Sequence, residues 1–191
     1  MSTREKLCAV ALKLFVAQGV EQTTTRQIAA AADVAEGTLY RHFASKDELA
    51  VDLFVRNWLA FATYMERAAS RATTSRARLE AMLSWLLVAA ERQSELFDYL
   101  FITPHGYAGQ VARDVQTPVS LIKRELADLV PPGEVELRLA LLLGGLTGAV
   151  SALRAGRLLT LSNALPLLLP AVEKNQGERL LTSSIPVDAM G

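Results

Sequence analysis

Two helix-start signals lie close together and leave little freedom to the chain between them. Thr24 followed by Gln27, and Ser45 followed by Glu48, each fit a capping box, in which an N-cap hydroxyl and a side chain three residues later satisfy free backbone N–H groups. The stretch between them reads Ile28-Ala29-Ala30-Ala31-Ala32, then Asp33, then Glu36-Gly37-Thr38-Leu39-Tyr40-Arg41-His42-Phe43. Asp tolerates left-handed backbone, so Asp33 suits a tight turn. The spacing predicts a short helix ending near Ala32, a turn, and a second short helix over Glu36–Phe43. A helix-turn-helix is written this way, and its second helix is the one that enters a DNA major groove.

Helical spacing governs the rest. Leu7, Ala11, Leu14 and Phe15 share one face of a first helix, and Gly19 supplies its stop. The helix opened by Ser45 runs long, through Leu49, Leu53, Trp58 and Met65. A fifth spans about Arg76–Arg92, Ser94–Phe101 is a short aromatic helix, and Thr117-Pro118 opens another that Pro131-Pro132-Gly133 ends. Glu134–Ala155 is the longest apolar helix. Its run Leu139–Leu153 falls short of the ~18–20 apolar residues that span a bilayer, so it reads as a buried helix. Pro166 and Pro170 break the segment Ser162–Lys174 or delay its start. No period-2 alternation marks a strand. The predicted fold is all-α: residues 1–48 a three-helix DNA-binding head, 49–181 a larger helical body for ligand binding and dimerisation, and 182–191 a loose tail.

Charge narrows the function. Lys+Arg and Asp+Glu both number 20. Within residues 1–50, Arg4, Lys6, Lys13, Arg26, Arg41 and Lys46 balance Glu5, Glu21, Asp33, Glu36, Asp47 and Glu48. A protein that coats nucleic acid without regard to sequence is basic, so this chain must rely on a few placed contacts, doubled by a dimer. With Leu39 and Phe43 turned inward, Gly37 and Arg41 point away, flanked by Thr38 and Tyr40. Glycine is costly in a helix unless another surface approaches closely. Cys8, the lone cysteine, falls in an apolar helical pattern and reads as a buried thiol in a reducing cytoplasm. With His42 and His105 the only histidines, no nucleophile–base pair, metal-ligand spacing or phosphate loop can be assembled. The expectation is therefore no enzyme, no metal and no cofactor.

The Thr24-Thr25-Arg26-x-Ile28-Ala29 opening, the Gly37-Thr38-Leu39-Tyr40-x-His42-Phe43 helix and the Ser45-Lys46-x-Glu48-Leu49 start resemble the DNA-binding domain of the TetR family of transcriptional regulators. The resemblance covers about Thr3 to Leu53. It implies that Thr25 and Arg26 contact the DNA backbone and that Glu36, Gly37, Thr38, Tyr40, Arg41 and His42 face DNA. Lys46 then matches a phosphate contact opening the next helix. Three positions depart from the pattern: Asp33 and Ala35 stand where the family often has Gly and Ser, and Glu36 replaces a frequently basic residue. Glu36 can accept from a cytosine amino group, or it can simply lower non-specific affinity.

The resemblance also implies a small-molecule pocket in the body. Trp58, Phe61, Met65, Met82, Trp85, Phe97, Phe101 and Tyr107 are the candidate walls, suited to an apolar, aromatic effector. His105 either meets that ligand or lies on a surface loop. Leu141, Gly144, Gly145, Gly148 and Ala152 are the candidate dimer contacts. The expected protein is a homodimeric cytoplasmic repressor released from a pseudo-palindromic operator by its effector, with no membrane partner. A ligand-dependent activator and a purely structural helical dimer are the alternatives.

Overall fold

A computed structural model describes residues 1–103, 106–111, 115–158, 160–161 and 164–172. His105 and the tail 182–191 lie outside the described residues. Every described regular element is helical.

Helix α1 (Thr3–Gln18) begins at a reciprocal Ser2–Glu5 box and stops at Gly19, whose φ of 84° carries the chain out of the helix. Leu7, Cys8, Ala11 and Phe15 are its buried face. Helix α2 (Thr25–Ala31) has the expected Thr24–Gln27 box. Asp33 takes φ 54° in the turn, and Val34 N–H donates to Ala29 O at 3.0 Å to close it. Helix α3 (Glu36–Tyr40) stops three residues earlier than the pattern suggests, yet Leu39 and Phe43 are both buried. Ala35 gives it no side-chain cap.

Helix α4 (Lys46–Ala69) runs unbroken for 24 residues. Ser45 caps it by accepting from Glu48 N–H, but the Glu48 carboxylate accepts from Ala44 N–H at 2.6 Å rather than from Ser45. The box is therefore displaced by one residue. Helices α5 (Ser75–Arg92), α6 (Ser94–Phe97), α7 (Pro118–Leu129), α8 (Val135–Arg154) and α9 (Ala164–Leu168) follow. The expected aromatic helix over Ser94–Phe101 divides into α6 and a wider π turn, Asp98–Ile102. Helix α7 ends at Leu129, before the prolines, and Pro118 occupies its first turn.

One hydrophobic core runs from Leu7 to Leu168, so the head and the body share it. At their junction Phe15 stacks on Tyr99, with ring centroids 6.0 Å apart. The Tyr99 hydroxyl donates to Ala50 O of α4 at 2.8 Å. Burial raises the Tyr99 phenol well above its ordinary range. Arg4 adds a second tie: it meets both Asp52 oxygens at 2.9 Å and lies 4.9 Å over the Phe43 ring. In the body, the fully buried Glu125 of α7 accepts from Arg78 of α5 at 2.7 Å and from Arg124 at 3.0 Å. A buried carboxylate survives only when paired in this way.

Helix α8 corrects the expectation of a buried helix. With its preceding turn, Pro132–Arg154 is long and apolar enough to cross a membrane by length and composition alone. In this fold one stripe, Val135, Leu139, Leu142, Leu146 and Val150, enters the core. The opposite stripe is open: Leu137 is 62% and Leu141 51% exposed.

Candidate nucleic-acid interface

The turn after α2 sets the starts of α2 and α3 side by side, and the side chains there touch one another. Thr25, the first residue of α2, donates its hydroxyl to Glu36, the first residue of α3, at 2.6 Å. The Tyr40 phenol donates to the same Thr25 oxygen at 3.5 Å. Arg41 folds back so that its Nη2 donates to Thr38 Oγ1 at 3.0 Å. Arg26, Glu36, Gly37, Tyr40, Arg41 and His42 are exposed, while Thr25 and Thr38 are half-buried.

Gly37 is the most informative position on this face. A Cβ built there meets nothing within 4 Å. Glycine in a helix costs about 1 kcal/mol relative to alanine, and nothing in its own chain demands that cost. The position is open to whatever approaches this face from outside.

Lys46 is less free than the sequence suggests. It is half-buried, and its Nζ donates to Val20 O at 2.6 Å and to Glu21 O at 3.3 Å in the loop between α1 and α2. An ammonium has three protons, so one remains to point outward. The residue thus fastens that loop to the start of α4 as well as supplying charge. Its spacing from Val20 gives no sign of this role. Arg4, Asp52 and Arg56 also escape the pattern. Asp52 and Arg56 are an i,i+4 pair meeting at 2.8 Å, a spacing that is legible, but their link to Arg4 crosses 48 residues. Cys8 is buried beside this cluster, with Arg56 Nη2 3.4 Å from its sulfur, and burial pushes its thiol up.

The candidate ligand walls separate into two groups. Met65, Met82 and Phe97 are fully enclosed, and Trp58 and Phe61 nearly so. Ring contacts run continuously through this region: Tyr64 to Trp85 at 5.8 Å, Trp85 to Phe61 at 5.0 Å, Phe61 to Phe101 at 6.0 Å, Phe101 to Trp58 at 4.9 Å and Trp58 to Phe54 at 5.2 Å. Among the described residues these rings pack mainly on one another. Of the candidates, Phe61 and Trp85 reach a cleft of about 470 Å³, shared with Asn57, Tyr64, Gln93 and Leu96. Tyr107 instead borders a cleft of about 490 Å³ between the α1–α2 loop and the start of α4, beside Glu21 and Asp47.

The dimer candidates also divide. Gly144 and Gly148 are exposed, and a Cβ at either meets nothing within 4 Å. They continue the open stripe of Leu137 and Leu141, and Ala152 is half-buried. Gly145 faces inward instead, where a Cβ would lie 2.6 Å from Leu168 Cδ2 of α9. Its smallness serves a contact within the chain. Among the described residues, no group of three or more His, Cys, Asp or Glu side chains is placed to hold a metal ion.

Comparison with known proteins finds relatives of the head and of the whole fold. Residues 7–53 match the family described as bacterial regulatory proteins, tetR family. The HTH-type transcriptional regulator TcmR of Streptomyces glaucescens is 55% identical over 49 residues, 26% of this chain and 22% of that protein. The HTH-type transcriptional repressor KstR2 of Rhodococcus jostii (strain RHA1) is 42% identical over 83 residues, 42% of this chain and 40% of that protein. The matched stretches thus span less than half the length of these curated relatives. The crystal structure of a TetR-like transcriptional regulator from Rhodococcus sp. RHA1 superposes with a TM-score of 0.73 at 22% identity, covering 89% of this chain and 93% of that one. It shares the fold of both head and body.

Proposed function

We propose that this chain, which belongs to the TetR family, is a sequence-specific DNA-binding transcriptional regulator: a homodimeric cytoplasmic repressor, released from its operator by a small molecule and without catalytic activity. The observation that carries this reading is the outer face of α3. Gly37 opens empty space at its centre, and hydroxyl, phenol and guanidinium groups stand around it beside the start of α2. Those groups recognise phosphates and base edges. A neutral head makes each contact count, and two heads on a dimer suit a pseudo-palindrome with half-sites about one helical turn apart.

The open stripe of α8 supports dimerisation, because Leu137 and Leu141 are large apolar side chains left to water. The cleft at Phe61, Tyr64 and Trp85 is the proposed effector site. Its rings suit a flat, largely apolar molecule, and the Asn57 and Gln93 amides supply polar contacts. Release requires that the effector favour the arrangement that fits DNA poorly, since equal affinity for both arrangements shifts nothing.

Selection of bound sequences from random duplex DNA tests the regulator reading. The expected product is a two-fold symmetric site bound by a dimer. Recovery of no enriched sequence would count against it, and would favour the purely structural dimer. Activation instead of repression is distinguished by a reporter placed behind the selected site.

A further inference from the structure

The hydrogen bonds on the outer face run in one direction. Tyr40 gives its proton to Thr25, and Thr25 gives its own to Glu36. A threonine hydroxyl has a single proton. While Glu36 holds it, Thr25 has none for a DNA phosphate, which can only accept. Glu36 also brings a negative charge to the starts of α2 and α3. Among the described residues no cation pairs with it across this face: the exposed Arg41 is turned onto Thr38 instead.

We propose that Glu36 is a specificity-determining latch. It occupies Thr25 and repels the DNA backbone until a base amino group takes its carboxylate. This rests on the regulator reading above and assigns Glu36 a second role within it. The base follows from groove chemistry. Cytosine presents N4–H₂ as a donor in the major groove, whereas adenine sets the acceptor N7 beside its amino group and so repels a carboxylate. The operator should therefore carry cytosine at one position of each half-site. Elsewhere on DNA, Thr25 stays committed to Glu36, and the phosphate contact is weakened.

The test compares the full-length protein with Glu36→Gln, in the native and the Thr25→Val backgrounds. The readouts are selected sequences and anisotropy on a random-sequence duplex at fixed salt. Glu36→Gln should bind random duplex about tenfold more tightly, because a like-charge clash is removed. It should also exchange the cytosine for adenine, whose N6 and N7 match a glutamine amide. A glutamine amide oxygen can still accept from Thr25 but holds its proton less firmly than a carboxylate does. Part of the gain on random duplex should therefore come from Thr25 and shrink in the Thr25→Val background. A Glu36→Gln protein that selects the same base and gains nothing on random duplex would overturn the proposal. So would a gain undiminished by Thr25→Val, which would reduce the effect to bare charge. A parent protein that selects no sequence fails at the regulator reading, a separate result. Glu36 is exposed and Gln is nearly isosteric, so a helical far-UV spectrum suffices to certify folding.

Discussion

The outer face of α3 and the open face of α8 share one feature and differ in everything around it. Both carry helix glycines where a Cβ would meet no neighbour among the described residues: Gly37 on one, Gly144 and Gly148 on the other. Around Gly37 the side chains are polar and satisfied by one another, as in the Thr25–Glu36 and Arg41–Thr38 bonds. Such a face rests comfortably in water and can exchange partners. Around Gly144 and Gly148 stand Leu137 and Leu141, which water does not satisfy. The first face suits an intermittent partner and the second a permanent one. Chemistry around the glycine, rather than the glycine itself, tells the two apart.

The largest test of this contrast is Leu141→Glu. A charge on the open stripe should dissociate the dimer and, by uncoupling the two heads, lower operator affinity about 100-fold or more. Sedimentation velocity and anisotropy read the two effects. A parent protein that sediments as a stable monomer would remove the permanent face altogether.

Gly37→Leu should come next, weakening operator binding by tens of fold, because a side chain would fill the space left for DNA. Folding should be unharmed. Leucine raises helix propensity by about 0.5–1 kcal/mol, so the melting temperature should hold or rise. Loss of both stability and binding would show that the space is used internally.

Gly145 and Gly148 sharpen the comparison within one helix. Gly145→Leu must displace Leu168 and should cost about 1–3 kcal/mol of folding stability in a denaturant titration. Gly148→Leu should leave a monomer's folding nearly unchanged and weaken self-association instead. Equal effects on both quantities would erase the distinction between inner and outer glycines.

The smallest effects are expected from Tyr40→Phe and Lys46→Ala. Each should reduce affinity several-fold and to a similar extent on every sequence, because phosphate contacts carry little sequence information. Lys46→Ala should also cost about 1 kcal/mol of stability, through its bonds to Val20 and Glu21. Thr38→Ala or Arg41→Ala should change which base is preferred.

The head was legible because its punctuation is local. The Thr24–Gln27 box, the Asp33 turn and the inward Leu39 and Phe43 are each fixed by residues within four positions. The π turn at Asp98–Ile102 carries no such mark, since it answers to Phe15 and Ala50, far away in sequence, through Tyr99. The same limit hid the inward turn of Gly145. Gly144, Gly145 and Gly148, three glycines within five residues, look alike until α9 packs beside one of them. In the aromatic middle third, large rings suit both a cavity wall and a cavity filling, so sequence alone does not assign each ring to one or the other. Phe61, Tyr64 and Trp85 do both: Trp85 touches the other two rings, and all three line the same cleft.

Helix α4 runs without a break from the DNA-binding head into the body. At 1.5 Å per residue its 24 residues make a rod about 36 Å long. A rod turns angle into distance: a tilt of about 5° at one end moves the other by about 3 Å. Stacked bases along a DNA strand are separated by about 3.4 Å. A few degrees therefore shift the head by nearly one base-pair step, so for the operator binding proposed above, alignment would be a quantity set by an angle.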